Sequence, residues 1–171
     1  PPLLSACFSA VDYSYPWAGL LQRFKFHQEP AWASHLARRM QQVAGVDVLL
    51  ASADWVLPVP LTPRRLAERG YNQAWELVKA LRPARPRSDL LMKLQDLPDQ
   101  HALNRTQRLR NARQAFAAAP HAPAQAAGHH LLLVDDVMTT GATLEAAADV
   151  LLRAGAARVS ALVFARTLPD L

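Results

Sequence analysis

The sequence has a single cysteine, Cys7, among its 171 residues. An internal disulfide needs two cysteines and a cysteine-cluster zinc site needs several, so both are excluded. The chain also has no apolar run close to the roughly 18 residues that a membrane helix requires. Its first residues, Pro1-Pro2-Leu3-Leu4, lack the basic start and long apolar stretch of a signal peptide. The sequence therefore predicts a cytoplasmic protein without a membrane span.

Charged residues are also scarce, at 19%, but their balance is one-sided. The formal net charge is +5 and is carried almost wholly by arginine, which suits bidentate phosphate recognition. A basic balance favours an anionic partner such as nucleic acid, a nucleotide or a phosphorylated metabolite. A genome-wide bias towards arginine and alanine explains the total charge equally well. The position of individual arginines therefore says more than their number.

With 51% hydrophobic residues, the chain is long enough for one domain with a substantial core. No internal repeat or composition break divides it. The sequence predicts a single domain over 1–171, in which 1–50 form a helical N-terminal part or hood and 51–171 form the core.

Two common phosphate-binding patterns are missing, namely the Gly-Lys-Thr/Ser ending and Gly-x-Gly-x-x-Gly. Instead, Asp135 and Asp136 follow an apolar strand pattern, and three threonines with Gly141 lead into an amphipathic helix pattern. The N–H groups and dipole of a helix start favour a phosphate, while carboxylates accept hydrogen bonds from sugar hydroxyls. An ordinary turn needs one N-cap residue. The surplus of acids and hydroxyls therefore indicates a ribose-phosphate site at 134–143.

The pattern around this run predicts a strand at 131–135, a helix that ends near Gly155 and a second strand at 159–164. A strand, a crossover helix and a strand over so short a distance form a parallel, right-handed βαβ unit. The other predicted elements are helices from 17 and after Pro30, a strand at 54–60, a helix capped by Asn72 and a strand at 90–94. The predicted irregular segments are a polar basic loop at 61–71, connections at 82–88 and 120–128, and a polar segment with some helix at 95–115.

The run 134–143 resembles the motif by which type I phosphoribosyltransferases bind phosphoribosyl pyrophosphate (PRPP): an apolar strand, two acids, two spacers and Thr-Thr-Gly-x-Thr. The segments 58–65, 68–74 and 108–111 resemble the ComF (competence protein F) family, which includes the GntX-type proteins. Phe24-Lys25-Phe26 fits that family's Leu-Lys-Tyr/Phe segment. Members typically begin with a four-cysteine zinc-ribbon segment, so this chain looks like a member without that module.

The resemblance implies an α/β fold of the type I phosphoribosyltransferase class, with a parallel sheet of about five strands flanked by helices and a small hood. It implies that Asp135 and Asp136 are the catalytic carboxylates and hold the ribose 2′- and 3′-hydroxyls of PRPP. The other PRPP-binding residues that it implies are Val137, Met138, Thr139, Thr140, Gly141, Ala142 and Thr143. The implied pyrophosphate loop contains Pro60, Leu61, Thr62, Arg64 and Arg65. Mg²⁺ is the implied cofactor and would bridge ribose and pyrophosphate oxygens with few direct protein ligands.

The roles of several residues stay open at this point. Arg69, Asn72 and Gln73 contact a ligand or partner, or they are structural, as the cap at Asn72 suggests. Arg105 and Arg108 belong to the predicted hood, where they contact the ligand or form a solvated helix face.

Lys25 follows an apolar stripe, so we expect a surface charge beside core residues rather than a catalytic group. The four tryptophans also lie in apolar stripes and are expected in the core rather than as platforms for base stacking.

The resemblance thus implies a PRPP-binding, phosphoribosyltransferase-like protein of the ComF family, linked to DNA uptake, that transfers ribose 5-phosphate to an unidentified acceptor. Two alternatives are a protein that handles single-stranded DNA through basic stripes at 64–69, 82–93 and 105–113, and a PRPP sensor without turnover. The implied partners are PRPP, single-stranded DNA and proteins of the competence machinery.

Overall fold

The structure, a computed structural model, describes residues 2–26, 29–96, 111 and 114–168. Within these residues, four parallel strands form the main sheet and two antiparallel strands form a small second sheet. The strands are β1 (Cys7–Asp12), β2 (Trp55–Pro58), β3 (Leu91–Lys93), β4 (Phe116–Ala118), β5 (His130–Met138) and β6 (Arg158–Arg166). The order in the main sheet is β1-β6-β5-β2, and β3 pairs with β4. The segment 85–87 extends the main sheet past β2 by a single parallel bridge from Val56 to Pro86.

Helices cover both faces of the main sheet. They are α1 (Trp17–Phe26), α2 (Trp32–Gln41), α3 (Val46–Ser52), α4 (Pro63–Arg69), α5 (Gln73–Leu81), α6 (Ala122–Ala126) and α7 (Ala142–Arg153). Parallel sheets are usually buried on both sides, because the crossover helices must return across their faces.

The core consists of two hydrophobic clusters, one on each side of the sheet. Alternate residues of β5 divide between them: Leu131 and Leu133 pack with α6 and α7, whereas Leu132 and Val134 pack with α1, α2 and α5. All four side chains are fully buried. The predicted α/β architecture, with a parallel sheet flanked by helices, is therefore confirmed.

The predicted βαβ unit is present as β5, α7 and β6, but β5 is longer than predicted. Its register with β6 continues from His130 opposite Arg158 to Met138 opposite Arg166. Asp135 and Asp136 thus lie within the strand and do not follow it. The sequence pattern marked only the apolar stretch, and the ladder extends beyond the point where apolar residues end.

The prediction of a loop over 61–71 was wrong, because α4 occupies Pro63–Arg69. The side chain of Thr62 caps this helix, Pro63 occupies its first turn, and Gly70 ends it with φ of +82°. None of the helix residues is buried. A helix without a buried face leaves no apolar periodicity in the sequence, so only its end signals could have revealed it.

In the described part of residues 1–50, the helices α1 and α2 and most of α3 follow a strand, β1, that was not predicted. β1 lies at the edge of the sheet, pairs with β6 from Cys7 opposite Ala161, and is only partly buried. Its residues therefore show no alternation of apolar and polar side chains. The helix α3 was also missed, and the predicted connection at 120–128 contains the short α6. Most of the predicted polar segment at 95–115 lies outside the described residues.

None of the helices within the described residues is long and apolar enough to cross a membrane.

Candidate functional site

The two acids and the segment after β2 meet at the carboxyl-terminal edge of the sheet. Pro58 pairs with Val134, and the backbone N–H of Val59 donates to the carbonyl of Val134 at 2.9 Å. Ligands of open parallel sheets bind at this edge, beyond the carboxyl ends of the strands. The structure thus brings the predicted pyrophosphate loop next to Asp135 and Asp136.

The backbone holds each carboxylate through one oxygen. Asp135 Oδ1 accepts from the N–H of Asp136 at 2.9 Å, and Asp136 Oδ1 accepts from the N–H of Val137 at 2.8 Å. The Asp136 side chain is 4% exposed, which is unusual for a carboxylate without strong partners. Both acids therefore have fixed positions; Asp136 Oδ2 is buried and faces the ammonium of Lys25.

The pKa of Asp135 lies well above its ordinary value. Burial is the largest cause, and the negative charge of the adjacent Asp136 adds to it. A hydrogen bond between the two side chains raises the pKa further, while the Asp136 backbone N–H and the charge of Lys25 act in the opposite direction. Asp135 can therefore hold a proton at a pH where an exposed carboxyl would be ionised.

The loop from Thr139 to Gly141 connects the acids to α7. Thr139 and Thr140 are exposed, and the hydroxyl of Thr140 accepts weakly from the N–H of Ala142 at 3.4 Å. Gly141 precedes the helix with φ of +83° and provides no side-chain cap. An added Cβ would meet only Met138 Sδ at 3.8 Å, so the backbone conformation, not the space, requires glycine.

This helix start suits an anion. The N–H groups of a first helical turn have no partners within the helix, and the helix dipole favours negative charge there. Thr143 lies in the first turn of α7 and is partly buried. The hydroxyls of Thr139 and Thr140 are exposed donors at the same end. The predicted phosphate-binding residues thus form one continuous loop and helix start.

The two arginines of the predicted pyrophosphate loop lie in α4 and are engaged in ion pairs. Arg64 Nε lies 2.9 Å from Glu68 Oε1, one turn along the helix, and both side chains are largely exposed. Arg65 Nε lies 3.0 Å from Asp96 Oδ2. An exposed pair contributes little to stability and can open easily. Both guanidinium groups could therefore exchange these carboxylates for the phosphates of a ligand.

Asp96 forms ion pairs with two cationic side chains next to this loop. Besides Arg65, it contacts Lys93 Nζ at 3.5 Å, and the Thr62 hydroxyl lies 3.5 Å away. Burial raises the pKa of Asp96, but the charges of Arg65 and Lys93 outweigh it and hold the pKa below the ordinary value. The carboxylate therefore stays ionised and holds the two cations beside the site.

Asn72 and Gln73 lie at the start of α5. Asn72 Oδ1 caps the helix by accepting from the N–H groups of Ala74 and Trp75, and its Nδ2 donates to the Val59 carbonyl at 3.1 Å. The predicted helix cap at Asn72 is therefore present, and contact of Asn72 with a ligand or partner stays a prediction. Gln73 is buried, and among the described residues its Oε1 has no hydrogen-bond partner. A buried acceptor without a donor costs about 1–3 kcal/mol, so a water or ligand donor would be favoured there.

Arg69 stacks its guanidinium over the Phe26 ring at 5.3 Å from the centroid. It therefore contacts the end of α1. Arg105 and Arg108 lie outside the described residues.

Lys25 is the site residue that the sequence analysis missed. Its Nζ lies 3.0 Å from Asp136 Oδ2, with 22% of the lysine side chain exposed. The expectation of a surface charge was wrong, because Lys25 lies one turn after the buried Leu21 and adjoins the buried Phe24. That helical spacing, together with two acids elsewhere in need of a cation, was the signal available in the sequence.

The four tryptophans are partly buried and pack against the two core clusters, in agreement with the prediction. Within the described ranges, no three histidine, cysteine, aspartate or glutamate side chains come together as a metal-binding group.

The fold and the site together define a protein of the phosphoribosyltransferase class. The family described as "Phosphoribosyl transferase domain" matches residues 72–168, more than half of the chain and the whole of the run 134–143. The curated relatives narrow the class. A DNA utilization protein YhgH of Escherichia coli O6:H1 is 33% identical over 98% of this chain and 75% of its own length.

Competence protein F of Haemophilus influenzae is 30% identical over 90% of this chain and 69% of its own length. Competence protein ComFC of Bacillus subtilis is 37% identical over 66% of this chain and 44% of its own length. The chain belongs to the ComF family of phosphoribosyltransferase-domain proteins. A solved structure described as the allosteric regulatory enzyme of purine biosynthesis matches with a TM-score of 0.46 and 19% identity, over 82% of this chain and 25% of that one; the assignment does not depend on it.

Proposed function

We propose that this chain binds PRPP at 135–143 and transfers its ribose 5-phosphate to an acceptor. The observation that carries the proposal is the junction of β5 and α7, where two fixed carboxylates lead directly into an uncapped helix start. The carboxylates have the acceptors that ribose hydroxyls need, and the helix start has the N–H groups that a phosphate needs. The distance along the chain between them is only a few residues, which suits a five-carbon sugar with its 5′-phosphate.

In the proposed reaction, the bond from C1′ to the pyrophosphate oxygen breaks and a bond from C1′ to the acceptor forms. Negative charge grows on the departing pyrophosphate, so cations next to it lower the barrier. Arg64 and Arg65, on the helix α4 that follows β2, are candidates for this role, and Lys93 lies beside Arg65 through their shared contact with Asp96. Asp135 and Asp136 orient the ribose by accepting from its hydroxyls.

Mg²⁺ fits the same site. The ion prefers oxygen ligands and keeps several waters, and the donor set of two adjacent carboxylates and a phosphate ligand has that chemistry. Asp135 and Asp136 are the residues that would hold it. The ion would supply further neutralisation of the pyrophosphate charge.

The experiment that tests the proposal has two stages. Isothermal titration with PRPP, with and without Mg²⁺, tests whether the site binds this ligand. A pyrophosphate-release assay across a panel of nucleobases then separates a transferase from a PRPP sensor. Binding without release by any base would support the sensor, and no binding would exclude both.

A second candidate function is contact with single-stranded DNA, which the names of the relatives suggest. The observation that favours it is a groove of about 650 Å³ between α2 and α5, lined by the basic residues Arg38, Lys79 and Arg82. Glu76 also lines it but is paired with Lys79 at 2.8 Å. Among the described residues, Arg38 and Arg82 have no carboxylate partner. None of the residues that line the groove belongs to the site at 135–143.

The groove revises the predicted basic stripes. Arg82 belongs to the stripe at 82–93, and Arg87 of that stripe stacks on Trp55 at 4.8 Å from the ring centroid. The stripe at 64–69 is largely engaged with Glu68, Asp96 and Phe26. The stripe at 105–113 lies almost wholly outside the described residues. A DNA strand would therefore follow α2 and the end of α5 more readily than α4. Binding to proteins of the competence machinery stays a prediction.

A further inference from the structure

Lys25 and Asp136 form an ion pair between the N-terminal helices and the strand end of the site. The ammonium lies 3.0 Å from Asp136 Oδ2, while Oδ1 of the same carboxylate is held by the backbone of Val137. Only 4% of the Asp136 side chain and 22% of the Lys25 side chain are exposed. Burying such a pair costs desolvation energy that its attraction often fails to repay, so it is weak evidence of a purely stabilising role.

The end of α1 is fastened where Lys25 needs to be. The hydroxyl of Tyr71 donates a hydrogen bond to the Phe24 carbonyl, and the two rings contact each other at 6.1 Å between centroids. On the other side of Lys25, the Phe26 ring lies under the Arg69 guanidinium at 5.3 Å. Both neighbours of Lys25 in the chain are thus held by the end of α4 and the turn that follows it, which belong to the segment 68–74 that resembles the ComF family.

We propose that Lys25 is a ligand-binding residue of the ribose-phosphate site, and that Arg69 and Tyr71 are positioning residues that hold it over Asp136. The inference rests on the proposed function. An ammonium has three N–H donors, and the ion pair with Asp136 leaves donors of Lys25 for other acceptors. Because Asp136 accepts from ribose hydroxyls in the proposed complex, the other donors of Lys25 come within reach of ribose and phosphate oxygens. The Lys25 charge also favours ionisation of the neighbouring Asp135.

The test compares PRPP affinity, measured by titration calorimetry with Mg²⁺, among the wild type, Lys25→Met, Lys25→Arg and Arg23→Met. Loss of a charge-assisted hydrogen bond corresponds to about a tenfold or greater weakening, which we expect for Lys25→Met. Lys25→Arg keeps the charge and should restore part of the affinity. Arg23→Met is the matched control on the same helix, because Arg23 is exposed and pairs with Glu29, and it should bind like the wild type.

A cycle with Tyr71→Phe separates positioning from general stabilisation. Tyr71→Phe should weaken PRPP binding when Lys25 is present. It should have little further effect in a protein that already carries Lys25→Met. Equal effects in the two backgrounds would show that Tyr71 does not act through Lys25. Thermal melting checks that each variant folds, and Lys25→Gln, which keeps a donor for Asp136, takes the place of a Lys25→Met protein that does not.

The outcomes separate this inference from the function on which it rests. If the wild type does not bind PRPP, both proposals are overturned. If the wild type binds and Lys25→Met binds within about twofold of it, a difference worth less than 0.5 kcal/mol, the role of Lys25 is overturned and the proposed function stands.

Discussion

The side chain of Asn72 joins α5 to the segment that follows β2. Its Nδ2 donates to the Val59 carbonyl at 3.1 Å, and its Oδ1 accepts from the N–H groups of Ala74 and Trp75. One amide thus starts a core helix and holds the backbone just before the predicted pyrophosphate loop. The relationship explains why a single residue of the family signature serves the fold and the site together.

Replacement of Asn72 should separate these two contributions. Asn72→Ala removes both, so we expect a loss of about 2–3 kcal/mol in the free energy of unfolding, the sum of a cap and a hydrogen bond. Asn72→Ser keeps an oxygen that can cap the helix but cannot reach Val59, and about half of that loss is expected. Urea unfolding of the three proteins measures the difference. Equal losses in the two variants would show that the cap contributes nothing.

The raised pKa of Asp135 predicts a specific pH dependence of stability. A raised folded-state pKa adds stability below the unfolded value near 3.8, and this contribution is lost as the pH rises through the folded-state pKa. Asp135→Asn removes the titration. We therefore expect the variant to match the wild type near pH 4 and to become progressively more stable than it towards neutral pH.

Thermal melting of Asp135→Asn and wild type over this pH range, without ligand, measures the gap. If the difference in melting temperature between the two proteins is the same at every pH, the raised pKa of Asp135 is contradicted.

The substitution Gly141→Ala tests whether the conformation of the predicted phosphate loop matters for ligand binding. With φ of +83°, alanine at this position should cost about 1–2 kcal/mol of stability, because the left-handed conformation brings Cβ close to the carbonyl oxygen. Nothing nearer than Met138 Sδ at 3.8 Å opposes the new methyl group, so the fold should survive. Relief of the strain would move the N–H groups of the helix start, and PRPP binding should weaken.

The matched control for Gly141→Ala is Gly19→Ala. Gly19 lies inside α1 with open space around the Cβ position, and alanine there should raise stability by about 0.5–1 kcal/mol. PRPP affinity in this variant should equal that of the wild type. A Gly141→Ala protein that binds PRPP normally would show that the loop conformation does not matter to the ligand.

The groove between α2 and α5 predicts salt-dependent binding of single-stranded DNA. Replacing Arg38 and Arg82 by alanine should weaken binding and reduce the slope of log affinity against log salt by about 1.4, the value for two phosphate contacts. The control is Arg153→Ala on α7, on the opposite face of the sheet, where Arg153 pairs with Asp149. Fluorescence anisotropy with a labelled oligonucleotide at several salt concentrations gives the slopes. If Arg153→Ala reduces the affinity and the slope equally, the DNA does not bind at the groove in particular.

The part of the fold that could be predicted from sequence is the part with the strongest periodicity. The unit β5–α7–β6 combines apolar strands with an amphipathic helix, so its order and direction followed from local pattern alone. The helix α4 has no buried residue and β1 is only partly buried, so neither element has a periodic pattern of apolar residues in the sequence. Their positions depend on end signals and on pairing with distant strands, which local reasoning does not contain.

The site also has one part that could be predicted from the sequence and one part that could not. The run 134–143 is contiguous, so its acids, threonines and glycine could be read together. Lys25 lies 111 positions before Asp136 and reaches it only because α1 packs on the sheet beside Tyr71. A contact of that kind arises from tertiary packing. The sequence showed a lysine beside core residues, and the structure shows which carboxylate it meets.

Calorimetric titration of PRPP with Mg²⁺ into the wild type and into the Asp135→Asn, Asp136→Asn double variant tests the central claim most directly. The amide side chains keep the shape of the carboxylates but lose their charge, and they no longer accept with both oxygens. We predict Mg²⁺-dependent binding to the wild type and none at the same concentrations to a folded double variant. Equal binding by both proteins, or no binding by the wild type, would contradict a ribose-phosphate site at 135–143.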